Sequence, residues 1–357
     1  MRPRLLKGEP NPGTDPAHYS GHVMNFSNPP AAPSEQADAA ADHAPWPDPD
    51  TVRTMHRHII DWFTWNARDL PWRAPDRTPW QVMVSEFMLQ QTPVVRVLPQ
   101  WKRWMQLWPE PSDLASATTG DAVREWGRLG YPRRALRLHA AAVAIVERHG
   151  GEVPSDYDEL LALPGVGSYT AAAVSVFAFG DRQTVIDTNI RRVQARAISG
   201  KALPSKGLTA AETRLAESLM PDDDATAVRW NIAVMELGAL VCTAKSPRCD
   251  ICPVLDQCAW VAAGRPEPEY VPRGQAWKGT DRQARGAMMA VLREATEPVP
   301  PEALLSPERT AWKGAPHAME QLRAIGAPGD QLERCLEGLV RDALASRDPE
   351  GRVTLPG

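Results

Sequence analysis

The chain has no run of apolar residues near the roughly 20 that a membrane span requires. It also has no N-terminal apolar core of the kind that marks a secretory signal. Five cysteines in 357 residues are too few for a disulfide scaffold, so a reducing cytoplasm is the expected compartment. Net positive charge is lacking too. Forty Lys and Arg stand against 44 Asp and Glu, a balance of −4, which at first weighs against a grip on nucleic acid. What is present is 43% hydrophobic residues, enough for one large domain or two modest ones with real cores.

The charge is unevenly spread. Residues 1–50 hold three basic and seven acidic side chains and ten of the 35 prolines. Such a segment buries too little apolar surface to offset its ordering entropy, so a disordered Pro/Ala/Asp-rich tail is expected over 1–50, with Met24 as an alternative start. Residues 51–260 are nearly neutral, with 24 basic against 23 acidic side chains. A Pro-rich linker over 263–279, from Arg265-Pro266-Glu267-Pro268 to Trp277, leads to a last segment, 280–357.

Apolar spacing at i, i+3 and i+4 predicts helices over 51–65, 79–91, 99–108, 122–129, 134–149, 156–163, 168–179, 188–198, 209–219 and 228–240. Gly, Pro and small polar residues separate them. Only 183–186 has a β-like look, too short to found a sheet, and no fixed repeat appears. The expected class is all-α. In the last segment 280–294 and 331–346 read as helices and 351–355 as a short strand, either a small winged-helix-like module or a packed helical extension.

Four cysteines, Cys242, Cys249, Cys252 and Cys258, form C-x6-C-x2-C-x5-C at the end of the helical region. Four thiolates suit tetrahedral zinc or a [4Fe–4S] cluster, and generic chemistry does not choose. Lys245 and Arg248 in that loop either reach a phosphate or stand as solvated charge, and Cys335 is expected to be an inert core residue. Leu163-Pro164-Gly165-Val166-Gly167 joins two helical segments. Its glycines allow a tight turn, Ser168 can cap the next helix, and free N–H groups there form an anion site without a cation. Arg133, Arg134, Arg137, Arg191, Arg192 and Arg196 would add local positive patches. Asp187 stands about twenty residues on, as an N-cap before Thr188. Glu86 sits in the apolar Val84-Ser85-Glu86-Phe87-Met88-Leu89, where a carboxylate is costly without a task or a partner. A buried Glu makes a suitable general acid, and an ionised Asp can stabilise positive charge as a glycosidic bond breaks.

The cysteine spacing resembles the cluster loop of the endonuclease III superfamily of DNA glycosylases. The hairpin and Asp187 match that superfamily's helix–hairpin–helix and Gly/Pro-rich-loop-plus-Asp pattern. Arg68-Asp69-Leu70-Pro71-Trp72-Arg73, the run Pro79 to Thr92 with Leu89-Gln90-Gln91-Thr92, Gly127 to Tyr131, Val185 to Asn189 and Met235-Glu236-Leu237-Gly238-Ala239 resemble adenine DNA glycosylases of the MutY type over about 52–262. The resemblance implies a six-helix barrel plus an iron–sulfur cluster domain. It also implies a monomer acting on double-stranded DNA with a mispaired adenine, in a bacterial cytoplasm and associated with the nucleoid.

Carried over by position, Glu86 would protonate adenine and Asp187 would stabilise the oxocarbenium-like sugar, with Tyr169 and Asn189 in support. Arg68, Trp72, Leu89 and Glu236 would line the pocket for the extruded base, beside Arg73. Gln91 and Tyr131 would wedge into the stack, Gln90 would touch nearby, and Gly165 and Gly167 would cradle a phosphate. Cys242, Cys249, Cys252 and Cys258 would hold a [4Fe–4S] cluster. No Nudix-like domain is recognisable after the linker, and the last module could touch DNA or a repair-protein partner. Pro132 and Thr188 also depart from the family pattern, which bears on opposite-base discrimination. Alternatives are a mismatch thymine or uracil glycosylase, or a non-catalytic iron–sulfur DNA-binding module.

Bifunctional members of the superfamily carry a Lys two residues past the hairpin, where this chain has Tyr169. Without that amine the Schiff base of the bifunctional members cannot form at this position, so a monofunctional glycosylase is expected. Duplex treated with pure enzyme should therefore break only after alkali or heat. Stoichiometric nicking with an adduct trappable by borohydride would overturn the expectation.

Overall fold

In a computed structural model, residues 48–271, 274 and 276–357 are described. The expected disordered tail lies outside them, apart from Asp48, Pro49 and Asp50, which begin the first helix. The helices are α1 (Pro49–Asn66), α2 (Pro79–Leu89), α3 (Val94–Leu107), α4 (Pro111–Ser116), α5 (Thr119–Glu125), α6 (Arg133–His149), α7 (Tyr157–Leu161) and α8 (Ser168–Val174). There follow α9 (Thr188–Ala197), α10 (Ala210–Ser218), α11 (Asp224–Leu240), α12 (Ala259–Ala262), α13 (Asp281–Glu294), α14 (Pro301–Leu305), α15 (Pro316–Ile325) and α16 (Gly329–Arg341). Strands β1 (Ser346–Arg347) and β2 (Val353–Thr354) pair antiparallel, and Val299 bridges to Val353. The all-α expectation holds.

Local chemistry sets the boundaries. Thr78 and Gln81 form a reciprocal capping box with Pro79 in the first turn of α2. Asp187 caps α9 and Thr209 caps α10 through their side-chain oxygens. The expected start of α3 at Pro99 is too late: the helix begins at Val94 and carries Pro99 within it. Proline lacks the N–H that would bond the Val95 carbonyl, and the strong exposure of Val95 leaves that carbonyl open to water. The segment 183–186 forms no strand. Its backbone pairs instead with Asn231 of α11, which accepts from Val185 N at 3.0 Å and donates to Gln183 O at 3.0 Å. The helix read over 168–179 changes pitch at Ser175, where Ser175–Phe179 is π-helical. Arg77 holds the Phe177 carbonyl of that turn from across the fold.

Two apolar clusters form. The first runs through α2–α8 and is built on tryptophan: Trp104 meets Trp108 and Trp126 edge-on at 4.8 and 5.4 Å. The second joins α1, α9 and α11 through Ile59, Val193, Trp230 and Leu237. Helix α8 serves both, since Ala171 and Val174 belong to the first cluster and Ala172 and Ala173 to the second.

The C-terminal segment contains more than was expected. Helices α14 and α15 were missed, and the helix read over 331–346 stops at Arg341, where Ala343 turns back at φ 55° into β1. Three helices, α13, α15 and α16, stand with a two-stranded antiparallel sheet, the elements that a winged-helix-like module would have. Its core, including Met288 and Leu336, is continuous with that of α2–α8. Arg293 donates to Val123 O at 3.2 Å and Thr119 donates to Gly357 O at 2.9 Å. Gly120 lies so close to the Pro356 carbonyl that no Cβ fits. Among the described residues no helix is long and apolar enough to cross a membrane.

Asn231→Ala should cost about 1–3 kcal/mol, because two backbone groups next to Asp187 lose their partners inside the protein. Denaturant unfolding checks this, and an unchanged midpoint would show that water replaces the amide.

Candidate active site

Glu86 lies on α2, a helix buried over nearly its whole length. The residue is 5% exposed, and its carboxylate receives one hydrogen bond, from the Tyr169 hydroxyl at 2.9 Å. Burial pushes its pKa up to about 7; the Tyr169 bond works against this and nearby Asp187 adds to it. The cation that would ordinarily quench such a group is engaged elsewhere. Glu236 of α11, fully buried, takes a forked pair from Arg68 at 2.7 Å each, the Arg68 backbone N–H at 3.0 Å and Arg73 at 3.0 Å. Burial alone would raise the pKa of Glu236, but the arginines outweigh it and hold the acid at about 2. One nitrogen of Arg73, Nη1, remains buried without a partner.

Asp187 is positioned by its role as a helix cap. It accepts from Ile190 N at 2.6 Å and from the Asn189 side-chain amide at 2.8 Å. Burial raises its pKa, and the donors at Ile190 and Asn189 oppose the rise. Glu86 has a single neutral donor and titrates near 7, so a share of it carries a proton at neutral pH. Asn189 is itself held by Arg192 at 2.8 Å, and Arg192 also donates to the carbonyls of Gly238 and Cys242 at 2.6 and 2.7 Å. Gly238 permits this packing: a Cβ there would stand 2.7 Å from that of Asn189. The structure therefore brings Glu86, Tyr169, Asp187 and Asn189 together. Tyr169, partly buried and near both acids, has its pKa raised well above the usual phenol value, first by desolvation.

The other expected residues divide. Trp72 is a core residue, 5% exposed and edge-on to Trp101 at 5.5 Å; Leu89 is partly buried against the same core. Gln91 and Tyr131 protrude from two turns, and both adopt a left-handed backbone, at φ 54° and 48°, strained for residues with a side chain. Gln90, between α2 and Gln91, reaches Thr170 at 3.4 Å. Gly165 sits at φ 77°, with Arg137 so near that a Cβ would lie 2.5 Å from its own. At Gly167 a Cβ would meet nothing within 4 Å, and no side chain caps α8, so Ser168 does not serve as its cap.

The arginine patches need correction. Arg134 is buried and spends its guanidinium on the carbonyls of Phe87, Met88, Gln90 and Gly130 and on the Thr92 hydroxyl, at 2.5–3.2 Å. It ties the turn of Gln91 to the turn of Tyr131, a role not recognised in the sequence. An arginine amid apolar helical residues was the available signal. Arg191 pairs with Glu212 at 2.6 Å, and Arg192 and Arg196 turn inward. Arg133 meets Asp342 at 3.5 Å, which leaves exposed Arg137 beside the hairpin.

The four cysteines are free of disulfides and line one pocket with Arg196 and Trp260. Arg196 Nη1 lies 3.5 Å from Cys242 Sγ. Among the described residues no three ligating side chains converge to hold a single metal ion. A shared pocket of four spaced sulfurs fits a multi-iron cluster better than zinc. Burial raises the Cys252 thiol to about 11, a burden that a positively charged iron core would remove. Arg248 donates to Leu240 O at 2.8 Å, while Lys245 is exposed. Cys335 is buried, as expected.

Comparisons with known proteins agree with this architecture. Residues 84–218 match the HhH-GPD superfamily base excision DNA repair protein family, and residues 242–258 match the iron–sulfur binding domain of endonuclease III. The chain is 47% identical to an adenine DNA glycosylase of Mycobacterium tuberculosis, over 87% of this chain and 97% of that protein. It is 44% identical to an adenine DNA glycosylase of Mycolicibacterium smegmatis, over 84% and 95%. Among solved structures, a thermostable thymine-DNA glycosylase superposes with TM-score 0.54 at 26% identity, over 60% of this chain and 98% of that one. A trapped endonuclease III–DNA covalent intermediate gives 0.52 at 23%, over 60% and 97%.

Tyr169→Phe removes the hydrogen bond that favours ionised Glu86, so its titration should move upward from about 7. Isotope-edited infrared titration of the carboxyl band reads the midpoint; a downward move would contradict this geometry.

Proposed function

The chain belongs to the adenine DNA glycosylase family, and on that premise we propose that it releases adenine mispaired with 8-oxoguanine or guanine and leaves an abasic site. The observation that carries this reading is the pair of buried carboxylates with opposed donors: Glu86 raised to about 7 and Asp187 held by Ile190 and Asn189. It acts as a monomer on double-stranded DNA in a bacterial cytoplasm, beside the nucleoid.

The chemistry follows from the protonation states. Glu86 gives its proton to a ring nitrogen of the extruded adenine, so the electrons of the breaking N-glycosidic bond leave with a neutral base. Asp187, anionic and held from two sides, offsets the positive charge that grows on the sugar. Water then adds to the sugar carbon and its proton is taken up by the vacated carboxylate. Glu236, fixed as an anion by Arg68 and Arg73, supplies an acceptor that suits an exocyclic amino group. The unpartnered Arg73 nitrogen adds a donor for a ring nitrogen. Gln91 and Tyr131 fill the space left in the stack, which offsets the cost of flipping. Phosphate is taken at the open Gly167 side of the hairpin and by Arg137, which spares cationic charge. The chain carries a [4Fe–4S] cluster, which Cys242, Cys249, Cys252 and Cys258 would hold; when bound it braces the loop after α11 and supplies no proton or nucleophile to base release.

The competing substrate is thymine opposite guanine, favoured by the fold shared with a thymine-DNA glycosylase. Base release from A:8-oxoguanine, A:G and T:G duplexes separates the two. Adenine release is expected, lowered on the order of a hundredfold or more in Glu86→Gln and declining as pH rises through about 7, because the acid must be protonated. Release of thymine alone would replace this reading.

A further inference from the structure

The C-terminal module lies against the turn that carries Tyr131. The Arg282 guanidinium, in the first turn of α13, is 5.1 Å from the centre of the Tyr131 ring, and that of Arg134 is 5.6 Å from it. Arg282 also lies 5.6 Å from the ring of Trp277. The start of α13 is firmly built. Thr280 caps it and donates to Trp277 O at 2.8 Å, and Asp281 is gripped by Arg334 at 3.0 Å and Gln331 at 3.0 Å. A second tie sits two residues beyond Tyr131, where Asp342 of the module accepts from Arg133 at 3.5 Å and Arg285 at 2.5 Å. The ring it approaches is 44% exposed on a backbone at φ 48°, so the main chain alone does not fix where the ring points.

We propose that Arg282 is a positioning residue for the Tyr131 wedge, and that through it the C-terminal module takes part in opening the duplex. The inference rests on Tyr131 being inserted into DNA, as in the reading above. A cation over an aromatic face is attracted by the ring quadrupole. With Arg134 and Arg282 both near it, the ring is held ready before DNA arrives. An aromatic side chain ordered in advance has less rotamer freedom to lose at the moment of insertion. The module thus contributes to unstacking without itself entering the base pocket.

The test uses the full chain and a duplex with an A:G mispair, 2-aminopurine beside the adenine and 2′-fluorine on the mispaired nucleoside to block release. Arg282→Ala should lower the 2-aminopurine signal, and single-turnover release from the unblocked duplex, by roughly two- to fivefold. Arg282→Lys should restore most of both. In a Tyr131→Leu background Arg282→Ala should change neither further. Equal losses with and without the Tyr131 ring would overturn the proposal, since Arg282 would then act on DNA directly. So would a signal and rate unchanged from wild type. If wild type opens the duplex but releases no adenine, the functional reading fails while the fluorescence still decides this one.

Discussion

The rest of the site depends on keeping one carboxylic acid dry and without an arginine. Glu86 and Glu236 are the same residue type at similar depth, yet one rests near 7 and the other near 2. The difference lies in their partners. Arg68 and Arg73 close on Glu236, and Glu86 is left with a phenol. Had either guanidinium turned to Glu86, the ion pair would have removed the proton the chemistry needs. The anionic Glu236 therefore has a use in this fold beyond any contact with a base: it absorbs the cations that would otherwise spoil the acid.

The second constraint concerns the duplex, which has to be opened by a nearly neutral protein. Buried Arg134 binds four backbone carbonyls and a hydroxyl in the turns around Gln91 and Tyr131. Each such charged hydrogen bond is worth about 1.5–3 kcal/mol, so together they can sustain two left-handed residues at about 1–3 kcal/mol each. Positive charge is used here inside the fold, to shape a wedge, rather than on the surface. Arg192 is used in the same way, linking Asn189 and hence Asp187 to the backbone at Cys242. The metal loop and the site are parts of one hydrogen-bonded frame.

The C-terminal module shows how poorly composition locates an interface. Its charge is unremarkable and its sequence suggested an appendage on a Pro-rich linker. In the fold its apolar residues continue the core of α2–α8, and its contacts fall on α5 and on the turn of Tyr131. Those contacts pair residues far apart in the chain, which leave no periodic trace in the sequence.

The sequence by itself determined the all-α class, the cysteine loop, the hairpin and the identity of both acids. Each depends on spacing along a single element or loop, where backbone periodicity, turn chemistry and ligand spacing act over a few residues. The start of α3 was read too late, at Pro99 instead of Val94, and the change of pitch at Ser175 and the pairing of 183–186 with Asn231 had no local signal, because their partners, Arg77 and Asn231, are distant in the chain. The partners of the charges were not legible at all. Six arginines read as a surface patch; the tertiary structure turned four of them inward, to carbonyls or to Glu212, and kept Glu86 free of any. A charge is settled by whatever long-range folding brings within about 4 Å, and only the packed structure decides that.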